Sequence, residues 1–486
     1  MRIFSIFFFF LLLSNYSLSG QNIFSLDDII IRSREQSVWA KQVETRKETR
    51  YWQYRNFKSR YNPQLSLQGT LPTYYKRVNQ ISQPNGTFKY IPVQQTNNDL
   101  SLGLFQPIAV TGGFISMNSS LGFIKDFNDL SSFGEQWSGN VMNIRLTQPL
   151  FAFNSFAWDK KTEPLRYEES KREYVEQLEG VSGEAVNRYF SVLEAQINLQ
   201  IARFNLANND TIYKIEEGRY NIGTTSRDKL LQVELQLLLS RQQVAQASLA
   251  LETAKLQLRN FIGLKGGGEF ELELPELIPE FEVSADEALT YARQYRSDYL
   301  AFSRRKIEAD RNVADARGQR FQTNLTAAYG LNNNGFAVNE VYSNPQEMQQ
   351  ISITLGVPIL DWGRNKSRMR TAIANKQLND YAIAQEEETF DQEVITQAKQ
   401  FVMLRSQIEI SKKADEVATE RYNVAQNRYL IGKIDITDLS IALTQKDDAK
   451  RSYILALRSF WTAYYALRMM TLYDFKANQP LYVQEK

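Results

Sequence analysis

From Arg364 to Ile431 the chain contains neither Gly nor Pro, and its apolar residues recur at helical spacing. A single helix over that stretch is roughly 100 Å long at 1.5 Å per residue, several times an ordinary helix of about 11 to 12 residues. A return helix is predicted from Ile436 to about Phe475, also without Gly or Pro. Between them lies "NRYLIGKIDITDLSI", where Gly432 can take the left-handed conformation that ends a helix and the Asp and Thr residues suit the start of the next. "GRYNIGTTSRDKLLQ", from Gly218, makes the same Arg-Tyr-x-x-Ile-Gly turn between two other long periodic runs. The outgoing run there holds Pro164, Gly180 and Gly183, and Pro164 is expected to start or kink its helix. A helix this long cannot bury its apolar stripe inside one small domain. An antiparallel return through a short turn supplies a neighbour of equal length.

Other segments alternate with period two. In "ISITLGVPI", Ile351, Ile353, Leu355, Val357 and Ile359 alternate with small or polar residues, and in "MNIRLTQPL", Met142, Ile144 and Leu146 alternate with Asn143, Arg145 and Thr147. "QLSLQGTL" near Leu65 and "FQTNLTAAYGL" from Phe321 follow the same rule. Each predicts a strand of about ten residues with one wet and one apolar face. "DLSLGLFQPI" and "GFISMNSSLGF" flank "VTGG" and predict an extra hairpin turning around Val110 to Gly113. "RVNQISQPNGTFKYIPVQQTNND" is polar and turn-rich and reads as an exposed loop. Moderate amphipathic helices are predicted at about Leu26 to Ser59 and Ala285 to Gly318.

These elements occur twice. Tyr220 and Tyr429, Gly223 and Gly432, Pro149 and Pro358, and Glu184 and Glu393 are each 209 positions apart. "SLDDII" from Ser25 and "SADEAL" from Ser284 are 259 apart, so the first copy carries about 50 extra residues (259 minus 209) within 72–140. Such a period marks an internal domain duplication and not a solenoid. The expected organisation is a leader over 1–20, a first repeat over 21–270 and a second over 271–486. Pro149 and Pro358 stand at the strand–helix junctions.

Composition narrows the class. The 486 residues include 57 basic and 55 acidic side chains, which gives no reason to expect nucleic acid as a partner. There is no His and no Cys, which removes thiol chemistry, disulfides, the usual zinc ligands and the commonest general acid/base. No phosphate-loop or nucleophile motif is present, so no enzyme activity, metal or cofactor is expected. "MRIFSIFFFFLLLSNYSLSGQ" has one basic residue, a short apolar run and then small residues, the pattern of a secretory signal peptide cut near Ser19 or Gly20. No later stretch is apolar enough for a transmembrane helix, so a membrane passage would use β-strands. Alternation alone fits a half-buried soluble sheet. The leader and the paired long helices turn the reading toward outer-membrane strands.

The two tip motifs, "QPLF" before the first long helix and "VPILDWGRNKSRMRTA" before the second resemble the TolC family of outer-membrane efflux proteins in order and spacing over nearly the whole mature chain. The resemblance implies a mixed α/β membrane protein: a trimeric transmembrane antiparallel β-barrel continuous with a long periplasmic α-helical coiled-coil barrel. It implies an exit duct in the outer membrane of a Gram-negative cell, serving a tripartite efflux pump or type I secretion system. Its partners would be two further copies, outer-membrane lipid, a periplasmic adaptor and, through that, an inner-membrane transporter. A periplasmic coiled-coil adaptor or a structural scaffold is the competing reading. The family barrel has 12 strands, and the insertion is expected to pack beside or beyond it. Tyr220, Ile222, Gly223, Thr224, Ile431, Gly432 and Lys433 match the tips that meet the adaptor. Tyr429 matches a residue that holds the periplasmic entrance shut, and Asp438 an acid that lines it. Lys229 occupies the site of the usual first-repeat Asp, with Asp228 one position early, and Ile434 stands where a gating Arg is usual. Asp438 or Asp435 is therefore expected to pair with Arg227 or Lys229 on the neighbouring hairpin. The cargo stays open.

Overall fold

A computed structural model of the chain describes residues 22–127, 134–264, 269–275 and 278–483. The predicted leader over 1–20 lies outside them. The first half runs β1 (Asn22–Phe24), α1 (Leu26–Gln36), α2 (Val38–Ser59), β2 (Gln64–Ser82), β3 (Phe88–Ile108), β4 (Gly113–Asp126), β5 (Glu135–Leu150), α3 (Ser155–Asn221) and α4 (Arg227–Phe261). The second runs β6 (Phe270–Leu272), α5 (Ala285–Tyr295), α6 (Ser297–Gly318), β7 (Gln322–Gly335), α7 (Val338–Ser343), β8 (Gln346–Gly356), α8 (Arg364–Leu430) and α9 (Ile436–Thr471), then the small pair β9 (Tyr473–Asp474) and β10 (Gln479–Pro480).

The element limits repeat. α3 and α8 are both 67 residues long, with starts and ends 209 positions apart. α1 and α5 are both 11 residues and α2 and α6 both 22, each pair offset by 259. The extra residues thus fall between β2 and β5. Each moderate helix expected as one piece is two, because Ser37 and Arg296 have extended backbone. The Ser37 hydroxyl then accepts from the Ala40 N–H at 2.9 Å and caps the second piece. α3 starts ahead of Pro164, which lies inside it. The Asn154 side chain accepts from the Ala157 N–H at 3.2 Å and begins the helix there.

The described residues form two compact units. The first holds 22–46, 173–296 and 391–483. Its core is built by Tyr189, Phe190 and Leu193 of α3, Leu258 of α4, Phe401 of α8 and Leu457 and Phe460 of α9, all essentially sealed from solvent. Phe401 stacks on Phe281 and packs against Phe460, with ring centres 5.2 and 5.0 Å apart. β1 and β6 pair in parallel. Beside this core lies a buried charge network. The Arg468 guanidinium donates two hydrogen bonds to Glu179, at 2.8 and 3.2 Å, and another to Asp474. Glu179 also pairs with Arg34 of α1. Burial alone would lower the Arg468 pKa, but the Glu179 carboxylate outweighs it and the pKa rises.

The second unit holds 47–172 and 297–390. Its centre is one antiparallel sheet in the order β2-β3-β4-β5-β7-β8. The register puts Leu65, Leu104, Met117, Ile144, Tyr329 and Gln349 on one face, and Ser66, Gly103, Asn118, Asn143 and Gly330 on the other. Neither β3 nor β4 packs beside the sheet, as the sequence had suggested; both sit inside it, between β2 and β5. The stretch read as an exposed loop is the outer arm of the β2–β3 hairpin, paired from Thr73↔Asn97 to Ser82↔Phe88. Only 83–87 turns. Both faces of that arm mix apolar and polar residues, Val78 and Phe88 on one and Ile81 and Ile91 on the other, so it carries no clean period-two signal, yet the cross-strand hydrogen bonds hold it as strand. Strand lengths of 11 to 21 residues exceed the ten expected. Pro149 lies in β5 opposite Asn324, while Pro358 lies just past β8, so the two junction prolines are not equivalent. No described helix is long and apolar enough to cross a membrane.

Replacing one partner of the buried network strands the others. Arg468→Met is expected to destabilise the fold by about 3–5 kcal/mol, seen as a lower midpoint in urea unfolding. Adding Glu179→Gln should restore part of that loss, because the uncompensated buried charge is removed with it. Additive losses in the double variant would show that the two residues do not act as a pair.

Candidate functional site

The two tip turns are the same structure. Gly223 and Gly432 have φ of 75° and 73°, the left-handed region that favours glycine. The Gly223 N–H donates to Tyr220 O and the Thr224 N–H to Arg219 O, both at 2.9 Å; Gly432 to Tyr429 and Lys433 to Arg428 repeat them at the same distances. These are the helix-closing bonds of a left-handed C-terminal cap. Three residues past each glycine, Ser226 accepts from the Lys229 N–H at 3.4 Å and Asp435 from the Asp438 N–H at 3.0 Å, each starting the return helix. Asp435 is thus an N-cap, and its charge sits favourably against the helix dipole. Among the described residues, nothing beyond each glycine's chain neighbours lies within 4 Å of where its Cβ would stand, so the constraint there is backbone conformation and not space.

The side chains of the two turns differ. Tyr429 is 2 % exposed and Tyr220 39 %. The Tyr429 hydroxyl donates to the Glu216 carboxylate at 2.7 Å, and the Arg219 guanidinium pairs with that carboxylate at 2.7 Å while lying over the Tyr429 ring. Glu216 and Arg219 are on α3 and Tyr429 on α8, so this cluster joins the two hairpins of one chain. Below it, Ile212, Val233, Tyr422, Leu439, Ala442 and Leu443 close an apolar core from all four long helices. Burial of Glu216 pushes its pKa up, but the hydrogen bonds from Tyr429 and Arg219 prevail, and the carboxyl is held below its ordinary range. Burial and the Glu216 carboxylate together raise the Tyr429 phenol, which stays protonated and donating.

Thr224, Lys229, Tyr429, Gly432, Lys433, Asp435 and Asp438 line one open cleft of about 610 Å³ together with Glu216 and Arg219. Ile222 and Ile431 point outward, 75 % and 67 % exposed. Arg227 and Asp228 open α4 outside that lining. Within one chain, among the described residues, no ion pair joins Asp435 or Asp438 to Arg227 or Lys229. The Asp435 side chain is engaged as a cap, and the acid that Tyr429 meets is Glu216. Sequence reasoning missed Glu216 and Arg219. With Lys229 in the usual acidic position, another acid near the first tip was needed, and Glu216, seven residues before Gly223 and one helical turn from Arg219, was the available signal.

A family model described as "Outer membrane efflux protein" matches residues 53–264 and 292–471. The chain belongs to the outer membrane efflux protein family. Solved structures agree in fold. The CmeC outer membrane channel of Campylobacter jejuni superposes with a TM-score of 0.66 at 15% identity, over 94% of this chain and 87% of that one. The outer membrane protein VceC of Vibrio cholerae gives 0.61 at 14%, over 92% and 95%. The open state of the MtrE channel of Neisseria gonorrhoeae gives 0.60 at 15%, over 92% and 88%. None of the curated proteins compared with the chain matches it. As a family member the chain is an outer-membrane efflux channel extending into the periplasm, a passive conduit and not an enzyme.

Tyr429→Phe removes the hydrogen bond to a buried carboxylate and should loosen the tip by about 1.5–3 kcal/mol, read as faster amide exchange in the last turns of α3 and α8. The pH dependence has a definite sign. Because the folded Glu216 pKa is depressed, its stabilisation is complete above the ordinary glutamate pKa of about 4.3 and is lost as pH falls through the lower folded value. Acidification through that value should therefore lower the wild-type tip protection factors, each taken against the intrinsic exchange rate at that pH, to those of Tyr429→Phe. A Tyr429→Phe tip as protected as wild type at neutral pH would remove the link from the account.

Proposed function

We propose that three copies of this chain form the exit duct of a tripartite efflux pump or type I secretion system, with a periplasmic adaptor docked on the tips. The observation that carries this is an exposed heptad series, Met403, Ile410, Val417 and Val424 of α8 with Ile431 just past its end, seven residues apart and each more than half exposed. Leu235, Leu249 and Leu256 of α4 are likewise exposed on one helix. Repeats of seven are the seam of a coiled coil, and apolar surface left in water is stabilised by burial at about 25 cal/mol per Å². A second copy of the same hairpins is the partner of matching length.

Each chain brings two tips, so three bring six, facing the adaptor. Ile222 and Ile431 are their apolar points, and Gly223 and Gly432 let the backbone come close. Tyr429, Glu216 and Arg219 hold the two hairpins of a chain together, and adaptor docking opens the entrance by loosening that contact. Asp438, with Lys229 in the same cleft, stands at the mouth. A ring of three carboxylates there favours cations.

Three outcomes are expected. Cross-linking in outer-membrane fractions should end at three chains; a stable folded monomer in detergent would sink the assembly. Gly432→Val forces a β-branched residue into the left-handed region and covers the point of approach, so efflux should fall in a strain without other ducts while trimer levels hold. Undiminished efflux in that variant would refute tip docking. In single-channel recording Asp438→Asn should weaken cation selectivity, and unchanged selectivity would take Asp438 out of the entrance.

A further inference from the structure

The geometry points to a membrane wall of 18 strands, six from each of three chains, with the inserted pair β3 and β4 as full staves lining a wide exit. This rests on the three-chain assembly proposed above. Three features of the sheet carry it.

The first is continuity. β3 and β4 are paired along most of their length on both sides, β3 with β2 and β4, β4 with β3 and β5. They cannot leave the sheet without breaking it in two. The second is facing. The apolar face continues through the inserted strands, interrupted at Ser119: Leu100, Leu102 and Leu104 on β3 meet Leu121, Ser119 and Met117 on β4. These leucines are 37 to 45 % exposed, as a lipid-facing wall must be in a lone chain. The opposite face carries Asp99, Ser120, Ser138, Asn140, Asn332 and Asn334, from four strands, which line a hollow of about 370 Å³. The concave side is therefore the polar side, the curvature of a wall around water.

The third is the edges. Among the described residues β2 pairs only with β3, and β8 only with β7. In lipid each unpaired backbone group costs several kcal/mol, so both edges must close. Six strands are too few to close alone, since membrane barrels start at about 8. β2 leads out from α2 and β8 leads back to α8, with strict up-and-down order between. β8 of one chain therefore meets β2 of the next antiparallel, and three chains make 18 strands. At about 4.8 Å between strands and a tilt of about 40°, such a ring is about 36 Å across its backbone, against about 24 Å for 12 strands. The exit then admits bulkier cargo than a four-strand-per-chain barrel, and the periplasmic tips alone set the aperture.

The absence of native cysteine makes the test direct. Single cysteines replace Ser101 and Asn118 on the polar face, and Leu102 and Leu121 on the apolar face, in the full chain in outer membranes. A membrane-impermeant maleimide should label Ser101→Cys and Asn118→Cys, and lose access to Leu102→Cys and Leu121→Cys until the protein is unfolded. Separately, Ser66→Cys or Gln68→Cys on β2 is combined with Ser352→Cys or Thr354→Cys on β8, and a short bis-maleimide is added. Cross-linked bands ending at three chains are expected. Equal labelling of both faces of β3 and β4 in a chain that still forms trimers overturns the 18-stranded wall and leaves the trimer standing. A trimer with no β2–β8 cross-link in any of the four pairs overturns it too. Bands ending at another number overturn both the count and the trimer.

Discussion

A backbone N–H or C=O left unpaired in hydrocarbon costs several kcal/mol, and the sheet of this protein is organised by that penalty. Its inner strands satisfy each other through the β2-β3-β4-β5-β7-β8 order, including two strands that the second half of the chain lacks. Inserting a pair preserves the up-and-down parity, so the helix-side ends of β2 and β8 stay where α2 and α8 require them. Inserting one strand would have reversed the return to α3. The 50 extra residues therefore arrive as a hairpin, in which both new strands acquire partners at once.

Away from the sheet, the apolar stripe of each long helix is the governing quantity. Two 67-residue helices and their returns present more stripe than one chain can cover. Near the tip the four helices meet around Ile212, Val233, Tyr422, Tyr429 and Leu439. Near the other end of the same unit they meet around Tyr189, Phe401 and Phe460, stiffened by Arg468, Glu179 and Asp474. Between these two knots Met403, Ile410 and Val417 of α8 stay exposed.

Duplication supplied two identical turns, and divergence gave them different work. The backbone bonds at Gly223 and Gly432 agree to the first decimal. Tyr429 turns inward to Glu216, whereas its counterpart Tyr220 stays at the surface. Lys229 and Asp438 occupy equivalent positions with opposite charge, and share one cleft. A pseudo-symmetric scaffold thus carries an asymmetric set of charges, which is what a contact between unlike hairpins requires.

The helices and their turns were legible in the sequence because their signals are local. A Gly- and Pro-free run with 3.6-residue periodicity, a glycine at positive φ and a capping Asp or Ser act over a few residues. The 209 and 259 offsets added the duplication and placed the extra segment, and alternation in "GFISMNSSLGF" revealed a strand there. What the sequence could not settle depends on partners distant along the chain. The outer arm of the β2–β3 hairpin mixes apolar and polar residues on both faces, so no alternation betrays it, and it becomes strand through cross-strand pairs such as Ile81↔Lys89. Whether β3 and β4 join the sheet or cover it is a question of which edges pair. Glu216 meets Tyr429 across 213 positions, and no pattern around either residue specifies that contact. The tertiary structure decided those points, because hydrogen-bond partners and burial are properties of the packed chain and not of any one segment.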